Sequence, residues 1–449
     1  MPLLNLILKN KNNCILFIEY MSKYFFKFIA LAIFSVCSAQ AQNTVVYDIV
    51  IKGGHVIDPK NNINQLMDVA IYSARPARDG MAAQVAKIAL VAKNIDTALA
   101  IQVVNAKGMF VTPGLIDIHT HVFYGPSKSN YLSNGSVAVV PDGHTFKAGV
   151  TTVVDAGGAG WKSFAMFKKN IIDLSETRVL SMLNIVGEGM RGGAFEQDVD
   201  DMDAEKTAAF AIENKEDVVG FKLAHFGKAD WTPVERITQA GRIANMPVMI
   251  DFGSGNQSLE ELLFKYLRPG DIYTHTFIEA PKSKDPIVDF ENHQLRPFVK
   301  AAQQRGIIFD VGFGSGSFNF KQAIPAIKSG FYPNTMGTDL HSESIIRAMK
   351  DQLNVMSIFL FLGMDIPSIV RAASWSSAQA IKREELGNLS VGGIADIAIL
   401  SMRKGDFGFK DVAGNKKYGT QKFECEMTIK GGKIVYDLNA IASNRVKGK

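Results

Sequence analysis

The stretch Pro113-Gly114-Leu115-Ile116-Asp117-Ile118-His119-Thr120-His121 enters through a turn pair, continues as an apolar strand and ends on two imidazoles. Residues two apart on a strand point to the same face, so His119 and His121 would face one ion side by side. A surface strand can show His-x-His by accident, and the motif gains weight only from its surroundings. From it onward, short apolar runs alternate with stretches of helical period. Strands are predicted at 109–118, 151–156, 179–186, 218–223, 247–252, 271–277, 306–313 and 335–340. Helices are predicted between most of them, at 163–174, 204–215, 232–245, 258–267, 296–305 and 344–362. Thr232-Pro233-Val234-Glu235 has the form of an N-cap, a first-turn proline and a capping-box glutamate. About eight strand-helix units mean a parallel sheet, and eight is the number that closes a barrel. An open doubly wound sheet would need a phosphate loop. Gly312-Phe313-Gly314-Ser315-Gly316-Ser317 lacks the Lys-Ser/Thr pair and fits a loop after the seventh strand.

Outside this region the texture changes. Tyr47 to Lys52, the pair Gly53-Gly54, and His55 to Asp58 suggest a hairpin, and 427–435 repeats the phrase around Gly431-Gly432. Strands from opposite ends of the chain can share one sheet. The predicted fold is therefore α/β: a (β/α)8 TIM barrel with a small β-sandwich domain built from both chain ends. The expected organisation is a leader region over 1–41, the sandwich over 42–112 and 385–449, and the barrel over 113–384.

Of 449 residues, 47% are hydrophobic and 21% charged, which supports large cores and excludes a disordered chain. The formal charge of +5 comes from interspersed residues with no basic block, so nucleic acid is not expected as a partner. Lys23 and Lys27 precede an apolar run from Phe28 to Cys37, and Ala39-Gln40-Ala41 supplies small residues for cleavage. This is the pattern of a secretory leader starting at Met21; the run is shorter than the roughly 20 residues that span a bilayer. A secreted, periplasmic protein with no stable membrane anchor after cleavage is expected. Of Cys14, Cys37 and Cys425, only Cys425 would remain, so any metal must be held by histidines and carboxylates.

Candidates for that role stand at the predicted strand ends. Lys222 lies in the apolar run Val219-Gly220-Phe221-Lys222-Leu223, where a buried ammonium is costly. His275 follows Tyr273-Thr274, Asp339 follows Gly337-Thr338, and Asp251 interrupts Val248-Met249-Ile250. Singly they suit a core histidine, a capping aspartate or a snorkelling lysine. Together they suit a metal site.

These residues, with Ala148 to Gly157, Pro269 to His275, Thr338 to Ser342 and Val391 to Ala398, resemble the amidohydrolase superfamily. Within it the likeness is to the dihydroorotase-like amidohydrolase/deacetylase branch, over nearly all of the chain after the leader. The resemblance implies a divalent metal centre, usually of two zinc ions. His119, His121 and Asp339 would hold one ion and His275 would contribute to the other. Lys222 would bridge them after carboxylation, because an ammonium has only donors while its carbamate offers two oxygens. Asp339 would be the catalytic base, taking a proton from water and passing it to the leaving group.

Two departures from the branch stand out. Asp251 occupies a position where the family has a second-ion histidine, and it would suit manganese or iron as well as zinc. Phe313 replaces a histidine frequent in related deacetylases. The expected activity is hydrolysis of an amide, or an acetyl ester, of a small molecule such as an N-acyl amino acid. The alternatives are a cyclic-amide hydrolase of the dihydroorotase or hydantoinase type and an impaired relative that only binds metal or ligand. His341 is expected to make a loop hydrogen bond, His144 to sit near a helix start, and His225 and His293 to be loop or surface residues. Ser317 and Asn319 fall in the loop after the seventh strand. Homo-oligomerisation is left open.

Overall fold

The computed structural model describes residues 47–75, 85–125, 137–251, 257–279 and 285–444. The leader prediction lies outside them. None of the described helices is long and apolar enough to cross a membrane.

The central element is a parallel sheet of seven strands: β6 (Leu115–Thr120), β7 (Val150–Ala156), β8 (Arg178–Asn184), β9 (Val218–Leu223), β10 (Val248–Ile250), β11 (Ile272–Tyr273) and β12 (Ile308–Phe309). They pair in chain order from β6 to β12. Every residue of β6, β7 and β9 is buried, as expected for strands covered on both faces. Helices such as Ala204–Glu213, Thr232–Ala244 and Pro297–Gln304 connect them.

The predicted eighth strand forms no ladder. Thr335 bridges Asp310 after β12 and Leu340 bridges Thr120 of β6, and scattered backbone bonds close the barrel, among them Phe313 N to Gly337 O at 3.2 Å, Gly314 N to Thr338 O at 3.0 Å and Asp339 N to His119 O at 2.7 Å. Side chains take the backbone donors that a ladder would use. Asp117 Oδ1 accepts from Thr338 N at 3.0 Å, and Asp310 Oδ1 accepts from Gly337 N at 2.8 Å. The first predicted strand, 109–118, is in fact two: β5 (Phe110–Pro113) belongs to the other sheet, and the chain crosses into the barrel at Gly114. A Cβ at Gly114 would lie 2.3 Å from Thr151 Oγ1, so only glycine allows that crossing.

The chain ends build a nine-stranded sheet of β1 (Tyr47–Asp58), β2 (Ile63–Tyr72), β3 (Lys87–Ala92), β4 (Ala100–Asn105) and β5 with β13 (Ile397–Lys410), β14 (Lys416–Lys430), β15 (Lys433–Asp437) and β16 (Ala442–Asn444). Its own apolar cluster includes Ile51, Val56, Val69, Ile397 and Met427. Gly431-Gly432 turns between β14 and β15 as predicted, but Gly53-Gly54 does not turn. It is a bulge within the continuous strand β1, where a Cβ on Gly54 would sit 2.4 Å from Val111 Cγ2 of the neighbouring β5. The predicted capping box at Thr232 is also absent. Trp231 is the N-cap residue, and Asp230 Oδ1 accepts from Thr232 N and Oγ1 at 2.9 and 2.8 Å.

The ribbon β13–β14 runs on past its sheet to the barrel. Phe423 N donates to Ser357 Oγ at 3.0 Å, and the rings of Phe361 and Phe409 lie 5.8 Å apart. At its tip Val412 N donates to Phe318 O at 3.1 Å, and Asp411 Oδ2 accepts from Phe320 N at 3.1 Å. The ribbon thus braces the loop after β12.

Candidate active site

Strand ends at one mouth of the barrel deliver His119, Lys222, Asp251, His275 and Asp339 to a cavity of about 470 Å³, together with His121 just past β6. Among the described residues, His119, His275 and Asp339 offer ligand atoms that all lie within 4.8 Å of one another. His121 Nε2 is 2.9 Å from Asp339 Oδ1, and His119 Nε2 is 3.8 Å from the same oxygen. Lys222 Nζ is 3.4 Å from His119 Nε2. Asp251 Oδ2 is 3.4 Å from His275 Nε2.

Hydrogen bonds fix which ring nitrogens face the cavity. Thr274 Oγ1 donates to Asp310 Oδ2 at 2.7 Å, so it accepts from His119 Nδ1 at 2.8 Å. His275 Nδ1 donates to Gly312 O at 2.6 Å. Both rings therefore commit Nδ1 to an outer partner and leave Nε2 for the cavity, the orientation that outer partners give to metal-binding imidazoles. Burial, then the charge of Lys222, lowers the His119 pKa to about 3, so this ring is neutral at physiological pH.

Asp339 is held well below the usual carboxylate range: burial opposes ionisation, but bonds with His121 and His341 outweigh it. Asp117 shows the opposite balance, with burial pushing it up to about 7 against the bonds from Thr338.

Backbone conformation contributes as well. His275 and Asp339 have φ of +56° and +54°, which ends each extended segment and turns its side chain out of the strand alternation. Such left-handed residues cost energy and cluster where function demands them. Two glycines make room: a Cβ on Gly157 would lie 2.7 Å from Lys222 Cγ, and one on Gly314 would lie 2.3 Å from Asp339 Oδ2.

The lesser candidates separate. Ser317 and His341 line the cavity, and His341 Nδ1 also donates to Asp339 O at 2.7 Å. Asn319 instead caps the helix Phe320–Lys328. Phe313 is buried and stacks on Phe318 with centroids 4.3 Å apart, so it belongs to the packing behind the loop. His144 lies in the short helix Asp142–Thr145, and His293 borders a different surface groove. His225, expected on a loop or the surface, is on a loop but lines the cavity. Sequence reasoning missed Thr274 and Asp310 behind His119. Asp310 interrupts an apolar run just as Asp251 does, and that signal was available.

The amidohydrolase family pattern matches residues 297–435. A deacetylase of Agrobacterium fabrum is 30% identical over 356 residues, covering 78% of this chain and 84% of the relative. The chain belongs to the amidohydrolase family. A deacetylase of Enterococcus faecalis is 26% identical over 397 residues, covering 87% of this chain and 99% of that one. Among solved structures, an adenine deaminase superposes with a TM-score of 0.75 at 27% identity, covering 87% of this chain and all (100%) of the other. A dihydroorotase gives 0.72 at 25% identity, covering 87% and 99%. Like its family, this amidohydrolase is a hydrolase of carbon-nitrogen bonds that uses a divalent metal.

Proposed function

We propose that the protein is a two-ion deacylase that removes an acyl group, foremost acetyl, from a small acid such as an N-acyl amino acid. The observation that carries this reading is the gathering of ligand atoms of His119, His275 and Asp339 within 4.8 Å of one another. His119, His121 and Asp339 would hold one ion; His275 and Asp251 would hold the other. Lys222, 1% exposed and 3.4 Å from His119, would bridge them as its carbamate, which turns a costly buried ammonium into an anionic ligand. Zinc fits the histidines, and Asp251 widens the choice to manganese or iron. When bound, the ions supply Lewis acidity toward the scissile carbonyl and toward water.

The remaining steps belong to the chain. Asp339, ionised and facing the cavity, accepts the proton of the attacking water and delivers it to the leaving nitrogen or oxygen. His341 Nδ1, bonded to Asp339 O, steadies that residue. Export to the periplasm by the leader of 1–41 would place this activity on exogenous acylated compounds.

The test is metal analysis of the purified protein together with a screen of N-acyl amino acids, acetylated hydroxy acids and cyclic imides. About two ions per chain and turnover of an acyl compound are expected. No metal after growth with added zinc or manganese would overturn the enzyme reading. Turnover of cyclic imides alone would favour the second reading, suggested by the likeness to a dihydroorotase structure.

A further inference from the structure

One polar pair in the cavity wall has no part in the metal centre. Glu196, on the short helix Gly193–Gln197 after β8, is 1% exposed. Its Oε1 accepts from Gly192 N at 2.7 Å, and its Oε2 is bonded to His225 Nδ1 at 2.7 Å. His225 lies on the loop after β9, lines the cavity, and keeps a side chain 48% exposed. A buried carboxylate needs a counter-charge, and this ring provides it. Its Nδ1 is committed to Glu196, so Nε2 is the nitrogen left to meet a ligand.

The two loops are already tied together without the ring. Gln197 Nε2 donates to His225 O at 2.7 Å, and Gln197 Oε1 accepts from Gly227 N at 2.9 Å. Beside that clamp His225 takes a left-handed φ of +58°. Of the other charged groups around the cavity, Asp251, Asp339 and Glu343 are acidic, Lys222 is buried beside His119, and His341 is bonded to Asp339 O through Nδ1, so His225 is the half-exposed basic side chain on this wall.

We propose that His225, held by Glu196 through Nδ1, binds the carboxylate of the substrate through Nε2 and makes the enzyme selective for acylated acids over their neutral counterparts. The inference rests on the deacylase reading and adds its specificity residue. A cation-donated hydrogen bond to a carboxylate discriminates by about tenfold to a hundredfold.

The test compares N-acetylalanine with N-acetylalaninamide on the metal-loaded protein. Wild type should favour the acid by that factor in kcat/KM, mainly through KM. His225→Gln and Glu196→Gln should bring the ratio close to one, and His225→Lys should restore part of it. An unchanged ratio in His225→Gln would overturn the proposal and leave the pair as a loop tether, as would a wild type with no preference. If neither compound is turned over, the deacylase reading fails for this class, and calorimetric binding of the same two compounds decides on His225. Preferential binding of the acid that His225→Gln abolishes supports the proposal; equal binding overturns it.

Discussion

Lys222 Nζ and His119 Nε2 stand 3.4 Å apart in the barrel mouth, each residue 1% exposed. Nε2 can accept from the ammonium, but at that depth a charge on either group is costly: burial, then the charge of Lys222, pushes the imidazole away from protonation, and burial penalises the ammonium. A carbamate at Lys222 beside a divalent ion, as proposed, would remove that cost. Lys222→Ala should therefore remove bound metal and lower kcat/KM by about a thousandfold or more. Elemental analysis and kinetics on one preparation check this; a variant that keeps both metal and activity rejects the carbamate.

Asp251 should control the second ion. Asp251→Ala is expected to lower the metal content from about two ions per chain to about one, since His275 then lacks its carboxylate companion. Asp251→His should keep two ions while shifting preference toward zinc over manganese. Metal content after growth on mixed metals reads both. Identical stoichiometry and identity in all three proteins would make Asp251 a simple wall residue.

Asp310 orients His119 through Thr274 and carries no ligand role of its own. Asp310→Asn should weaken metal binding about tenfold to a hundredfold, the usual cost of losing an outer partner. Chelator competition measures it. Because Asp310 also accepts from Thr335 Oγ1 and Gly337 N, a lower melting temperature should accompany the loss.

Asp411 at the ribbon tip tests whether the small sheet supports the site at a distance. It is 2% exposed and accepts from Phe320 N and Asn415 N, at 3.1 and 2.8 Å. Asp411→Ala should cost about 1–3 kcal/mol of stability by leaving the buried Phe320 N–H unpaired. It should also raise KM more than it lowers kcat, since the loop it holds carries Ser315 and Ser317 of the cavity wall. Thermal unfolding and steady-state kinetics separate the two effects. A stability loss with unchanged KM would confine the ribbon to a scaffolding role.

The pH dependence of selectivity follows from His225. Burial lowers its proton affinity, but the bond and charge of Glu196 outweigh this, and Asp251 adds to the rise while Lys222 opposes it. A folded pKa raised above the ordinary 6.5 means the cation is complete at lower pH and is lost as pH climbs through the raised value. The acid-to-amide ratio should therefore be greatest near pH 6 and decline above His225's raised value, following one proton. Taking the ratio cancels ionisations shared by both substrates. A ratio independent of pH would contradict a cationic His225.

The barrel was legible because its strands are buried on both faces, which forces near-continuous apolar runs, and because polar residues at their ends break those runs visibly. Lys222, Asp251, His275 and Asp339 could be picked out as interruptions for that reason. The same logic misjudged 335–340, a strand-like segment where the carboxylates of Asp117 and Asp310 take the N–H groups of Thr338 and Gly337 and leave only scattered backbone bonds in place of a regular ladder. It also misjudged Gly53-Gly54, since a glycine pair serves a bulge under close packing as readily as a turn.

The amino-acid sequence by itself determined the strand-helix alternation, the sharing of one sheet by both chain ends, and the residue types available to a metal, because periodicity and chemistry are local properties. Only the tertiary structure decided that Asp310 stands behind His119 and that Glu196 pairs with His225. It likewise decided that Asp411 of the far ribbon holds the loop beside the cavity. Each of these depends on hydrogen-bond distances between segments remote in the chain, and no local pattern encodes them.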